Sequence, residues 1–365
     1  PIFKHALVQD TAYGTLLRGA RQVLHERIAA ALEARAPDRI EREPEILAYH
    51  LTEAGAHERA AAYWLAAGRR AAARSANVEA HAHLRRGIET LTTVAETESR
   101  LRVELALQLA LGPIVQSSLG FTSPEAYRAY RRARDLTLRV DDDRAVFAAT
   151  WGLWLSTAGQ NNIARQGLVD ELFPVAKALR DDGLLLQAHH AAWTTKMFFG
   201  GLAEAREHVE TALKLYDRKA HGSHALSYGG HDPGVCGFGQ GGMVLWMLGY
   251  PDQAARRIQP GMALAEDLAH VPSVGHALWF ACIVHLLRRD VARTLSTGER
   301  LFALGRDHRL TQYRVIGAIM RGWGWAHSGR LEAGLQEIRE AIEVYKVNTS
   351  VMPGLAIVTL AEIEA

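Results

Sequence analysis

Cysteine is scarce: the chain has two, Cys236 and Cys282, in separate helical units. A disulfide framework is excluded, and thiols kept reduced fit a cytoplasmic protein. No run of 18 or more apolar residues occurs, so no membrane-spanning helix is expected. No basic stretch leading into an apolar one opens the chain, as a signal peptide would require. Neither sign of charge dominates. Lys and Arg total 42 against 40 Asp and Glu, a formal net charge of +2, so neither nucleic acid nor an anionic membrane surface is an expected partner. Sustained period-2 alternation is missing, so strands should be few or absent. The G-x-x-x-x-G-K-[ST] string of a phosphate-cradling loop is missing too.

What the chain does have is helical periodicity that repeats. GLAEAREHVETALKLY begins at Gly201, and three stretches echo it: GYPDQAARRIQPGMALAEDL, RDVARTLSTGERLFALGRDH and GRLEAGLQEIREAIEVY. Counted from Leu202, Pro251, Val291 and Leu331, the spacings are 49, 40 and 40 residues. Such a period marks stacked helix pairs. One pair cannot bury its apolar face alone, so neighbours must stack and build a concave surface. The expected fold is all-α: a right-handed solenoid of tetratricopeptide-like helix pairs.

Taken in order, the pattern predicts helices over 4–17 and 22–36, with Gly19 breaking between them. Another follows Pro44 and ends at Gly55, a C-cap glycine. Ser123-Pro124-Glu125 is a strong helix start, a capping hydroxyl followed by proline at the first helical position. Residues 217–242 read as one long loop, with helix resuming at Met243. The chain starts without Met inside a helical pattern and stops without a polar cap, so a piece of a longer protein is expected.

Three groups of residues invite a chemical reading. Gly237 to Gly242 matches G-x-G-x-x-G, but a dinucleotide site needs a strand before it, and a turn precedes it here. The alternative is that small residues let two helices approach closely. His221, His224, His231, Asp232 and Cys236 are zinc-ligand types, but their spacing matches no familiar ligand pair. A structured turn at 231–234 competes with that reading, with Asp232 bonding local backbone and Pro233 fixing φ. His189 and His190 with Trp193, and His276 with Trp279, fit either an aromatic-walled pocket or a packed interior whose imidazoles are met by backbone carbonyls.

The string Phe3, His5, Leu7, Gln9, Ala12, Tyr13, Leu16, Leu17, Arg21, Leu24, His25, Ile28, Leu32 resembles the segment after the NTPase module of large bacterial signalling proteins. Those proteins join a class III adenylate/guanylate cyclase, or another signalling domain, to an AAA-like signal-transduction ATPase and a tetratricopeptide-like tail. Residues 47–91, YGGHDPGVC at Tyr228–Cys236 and residues 320–342 are similar to parts of that tail. The resemblance implies a helical linker bundle over 1–55, following an NTPase module that these residues do not include, and a repeat domain over 56–365. It implies no catalytic residue, no cofactor and no metal in this chain.

The expected function is a non-catalytic arm that binds a protein segment or small effector on its concave face and biases the upstream ATPase and cyclase. Candidate contact residues are Tyr228, His231, Asp232 and Trp246, with Trp193 and Trp279 on neighbouring helices. Two other readings stay open. One is a nucleotide or metal site with an enzymatic role in the 221–242 loop. The other is a scaffold or homo-oligomerisation module.

Overall fold

The turns between helices share one device. In nine of them a residue in the left-handed region stands two positions ahead of the next helix: Gly55, Ser75, Arg180, Gly200, Gly249, Ala269, Arg289, Arg309 and Gly329. That residue ends one helix and swings the chain back against it. The four marker residues found in the sequence, Leu202, Pro251, Val291 and Leu331, are each the first residue of a helix.

The computed structural model describes residue 13 and residues 15–158, 162–348 and 354–364. Among the described residues there are nineteen α-helices and no strand. The architecture is the expected all-α helical solenoid. The chain divides into two compact units, Pro1–Ala110 and Leu111–Ala365.

The first unit holds α1 (Arg18–Arg35), α2 (Pro37–Arg42), α3 (Pro44–Glu53), α4 (His57–Ala73) and α5 (Asn77–Thr90). Trp64 packs there among Ala29, Leu47, Leu51 and Ala60. Its Nε1 donates to Thr52 Oγ1 at 3.0 Å, so the buried indole leaves no donor unmet. The helix expected over 4–17 lies largely outside the described residues. Gly19 does not break a helix but sits in the first turn of α1, where backbone N–H groups have no intrahelical partner in any case.

After α6 (Glu98–Leu119) come α7 (Pro124–Thr137), α8 (Asp143–Ser156), α9 (Asn162–Ala178), α10 (Asp182–Phe198), α11 (Leu202–Leu215) and the short α12 (Arg218–His221). Then follow α13 (Pro233–Met247), α14 (Pro251–Leu268), α15 (Val271–Leu287), α16 (Val291–Asp307), α17 (Thr311–His327), α18 (Leu331–Asn348) and α19 (Gly354–Glu364). Helices α10, α13 and α15 are buried on almost every side. Their partners are amphipathic. Helix α11 turns Ala205, Val209 and Ala212 inward, and α14 turns Ala254, Ile258, Gly261 and Ala265. This is one apolar stripe at helical spacing, with charge on the opposite face.

The long loop expected over 217–242 is corrected by the structure. Asp217 caps α12, a 3-10 turn covers Gly222–Leu226, and α13 begins at Pro233, ten residues before Met243. Its glycines are poor helix formers, but packing overrides propensity. A β-carbon on Gly237 would touch Leu213, one on Gly239 would press on Phe280 and one on Gly242 on Ile258. The G-x-G-x-x-G match is therefore a helix face that admits close neighbours, and no phosphate cradle.

Candidate functional site

The turn Tyr228–Asp232 and the first turn of α13 bring a set of imidazoles and a thiol into the interior of the second unit. His231 follows Gly229 and Gly230, at φ 68 and 72°, a conformation that glycine adopts without cost. The turn sends the His231 ring inward, where it is 2% exposed. Its Nδ1–H donates to the Gly229 carbonyl at 3.0 Å, while Nε2 has no partner. His276 of α15 lies flat on it, ring centroids 3.8 Å apart and 10° from parallel. Both nitrogens of His276 lack a hydrogen-bond partner as well. A buried polar atom without a partner costs about 1–3 kcal/mol.

His190 of α10 approaches from the other side. Its Nδ1–H donates to Gln187 Oε1 at 3.2 Å, and its Nε2 faces Cys236 Sγ at 3.1 Å. The ring stacks on Trp193 with centroids 4.5 Å apart. Trp193 Nε1 and Thr194 Oγ1 both donate to Gln240 Oε1, at 2.8 and 2.7 Å, which pins α10 to α13. Burial keeps the imidazoles neutral. It pushes His231 down to about 4 and His190 and His276 well below their ordinary value. The Cys236 thiol is pushed well up, by burial first and then by the Asp232 charge.

Asp232 is the N-cap of α13. Oδ1 accepts from the Val235 N–H at 2.9 Å and Oδ2 from the Tyr216 hydroxyl at 3.1 Å. Its own N–H donates to Ser273 Oγ at 2.9 Å, joining α13 to α15. Burial raises the carboxyl to about 6, against the lowering effect of these hydrogen bonds.

A groove opens between α14, α15 and α16, with a volume of about 570 Å³. Its lining is mostly polar: Glu266, Arg293 and Arg300 supply charge, while Ile258, Met262 and Ala281 add an apolar part. Arg300 pairs with Glu266 at 3.0 Å, both more than half exposed. His285 also lines it, and its Nδ1 has no partner.

The sequence candidates separate into two environments. Tyr228, His231, Asp232 and Trp193 are buried, and Trp246 and Trp279 are partly exposed. Tyr228 meets Trp151, which meets His190, while Trp279 stacks on Phe121, which meets His231. Trp246 stands apart, packed on Leu245, Ala254, Ile258, Ala281 and Val284. The metal-type cluster read from the loop regroups. His231 and Cys236 stay together, joined by His190 from α10, while His221 and His224 face each other, His221 also meeting Tyr216 and His224 meeting Tyr228. The groove residues Arg293 and Arg300 were not singled out from sequence, because a groove built by three helices leaves no local signature.

No family model matches the chain. An uncharacterized protein of Rhizobium meliloti (strain 1021) is 27% identical over 346 residues, 94% of this chain and 33% of that protein. The chain thus spans about a third of the length of the curated relative it matches. Among solved structures, a Rap protein complexed with Competence and Sporulation Factor is similar, with TM-score 0.59, 13% identity and 98% of each chain covered. The apo form of RapI is similar with TM-score 0.53 and 10% identity, over 78% of this chain and 97% of that one. At these identities the likeness is one of fold, the helical repeat of the Rap type.

Proposed function

We propose that this chain is a non-catalytic regulatory and recognition arm that binds a segment of a partner protein. The groove between α14, α15 and α16 carries the reading. It sets Ile258 and Met262 among mostly polar groups, with two arginines whose exposed pairs to Asp290 and Glu266 a bound carboxylate can replace, which suits a polar segment carrying a carboxylate beside an apolar side chain. Trp246 packs against the same Ile258 and Ala281 that line the groove, so the indole supports its wall. Trp279 is the other partly exposed candidate; Tyr228, His231, Asp232 and Trp193 act from inside, by fixing how the helices pack. A Rap protein of similar fold has been solved with Competence and Sporulation Factor bound, which supports a binding role for helices arranged this way.

The resemblance to signalling proteins supplies the partner of the arm, an ATPase and a class III cyclase preceding it in one longer chain. The relative about three times as long as the matched region is consistent with such an arrangement. Coupling would arise because the bound segment prefers one arrangement of the arm. The test measures cyclic nucleotide formation and ATP hydrolysis by the longer protein, with and without residues 1–365. A third sample carries Arg293→Glu and Arg300→Glu. A change of basal output on removal, reproduced in part by the double variant, is expected. Unchanged output in both, from protein that hydrolyses ATP, overturns the reading.

A further inference from the structure

His190 lies on α10, His231 in the turn before α13, and Cys236 one turn into α13. One ligand atom from each lies within 4.8 Å of the others, and all three residues are buried. The two imidazoles, set edge to face at 76°, carry their proton on the same nitrogen. His231 gives its Nδ1–H to a backbone carbonyl and His190 gives its Nδ1–H to the Gln187 side-chain carbonyl. That leaves a lone pair on each Nε2, unpartnered at His231 and facing the Cys236 thiol at His190, the tautomer that a metal-ligating histidine needs and the outer bond that fixes it. The Gln187 orientation is itself held, since its Nε2 donates to His224 Nδ1 at 3.1 Å.

From this geometry we infer that His190 Nε2, His231 Nε2 and Cys236 Sγ form a zinc site. Two imidazoles and one thiolate are ligands suited to Zn²⁺ and leave a fourth tetrahedral position open. Zinc bonds of about 2.0–2.1 Å to nitrogen and about 2.3 Å to sulfur hold ligand atoms about 3.3–3.6 Å apart. The group needs only side-chain adjustments of about 1 Å to close on an ion, far less than a rearrangement of helices. The site accounts for what a simply packed interior leaves unmet. His231 Nε2 has no other partner. His276, stacked on His231 with both nitrogens unpartnered, would hydrogen-bond a water in the fourth position.

On loading, the Cys236 thiol releases its proton to solvent and becomes thiolate. The ion would tie α10 to the turn and start of α13, a structural role independent of the α14–α16 groove.

The experiment uses the intact chain. Protein expressed with zinc is dialysed and its metal content measured, and about one zinc per chain is expected, as for a site formed on folding. Cobalt is then exchanged in, and a sulfur-to-cobalt charge-transfer band is expected. Cys236→Ser should abolish that band, while Cys282→Ser, a buried thiol outside the cluster, should retain it. Chelation should lower the thermal midpoint of the wild type and leave that of Cys236→Ser unmoved. The wild-type spectrum decides even where a variant fails to fold. Clearly substoichiometric zinc, or bound cobalt without the sulfur band, overturns the assignment.

Discussion

Gly305 of α16 faces Arg314 of α17 so closely that a β-carbon on the glycine would overlap the Arg314 backbone nitrogen. Gly298, two turns earlier on α16, sits the same way against Arg321, whose backbone nitrogen would lie 2.9 Å from a new β-carbon. The obstacle is backbone, which cannot rotate aside. Gly305→Ala is therefore expected to cost ~3 kcal/mol or more, the upper range for overpacking. Gly167 on α9 meets nothing within 4 Å. Gly167→Ala should stabilise by ~1 kcal/mol, because it removes backbone entropy from the unfolded chain. Urea unfolding of the two variants side by side checks the contrast, and equal effects would sink it.

Arg289 stands at φ 58°, where the corresponding turns before α11, α14 and α18 use Gly200, Gly249 and Gly329. A side chain there costs about 1–2 kcal/mol. Arg289 does pair with Glu362, but its side chain is 63% exposed, and exposed pairs contribute ~0–1 kcal/mol. Arg289→Gly is expected to raise stability by up to ~1 kcal/mol in chemical denaturation. A loss would mean that the pair outweighs the strain.

The parts of the fold that were legible are those that local chemistry specifies. Ser123 Oγ accepts from the Glu125 N–H at 3.3 Å, as the Ser-Pro-Glu string predicts. Gly55 has φ 82° at the end of α3, the conformation expected of a C-cap glycine. The stretch 233–242 misled for the opposite reason. Its glycines argue locally against helix, and only the side chains of Leu213, Phe280 and Ile258, brought there by packing, make small residues necessary. The candidate site shows the same divide. His190, His231 and Cys236 meet across separations of up to 46 residues, and no periodicity in the chain announces that meeting. The bond from Asp232 to nearby backbone, by contrast, was legible in the Asp-Pro-Gly turn, although the helix that it caps was not.

His224 and His270 set a pH dependence. Each accepts a hydrogen bond at Nδ1, from Gln187 Nε2 at 3.1 Å and from Ser273 Oγ at 2.8 Å. Burial pushes both down to about 4 from an ordinary 6.5, with His221 lowering His224 further and Asp181 raising it. Between those values the unfolded chain binds protons that the folded chain refuses. Stability should therefore hold above pH 6.5 and fall as pH drops towards 4, by at most ~1.4 kcal/mol per pH unit for each site. Urea midpoints of wild type and His270→Gln between pH 7.5 and 4.5 check this. The variant should lose less stability over that range, and parallel curves would show that His270 takes no part.

Asp232 makes three connections at once, to Val235, Tyr216 and Ser273. Asp232→Ala removes the α13 cap, worth ~0.5–2 kcal/mol, and takes the acceptor from the half-buried Tyr216 hydroxyl, which adds ~0.5–1.5 kcal/mol. Asp232→Asn keeps an oxygen for the Val235 N–H and offers Tyr216 an amide donor, so its cost should be clearly smaller. Tyr216→Phe removes the hydroxyl that Asp232→Ala would strand. The double variant Asp232→Ala/Tyr216→Phe should therefore be more stable than the sum of the single losses allows, with a coupling of ~1 kcal/mol, as expected of residues in contact. Thermal unfolding of the four proteins measures that coupling directly. Strict additivity, or an Asn variant as damaged as the Ala variant, would mean that the carboxylate is held by something other than the cap and the phenol.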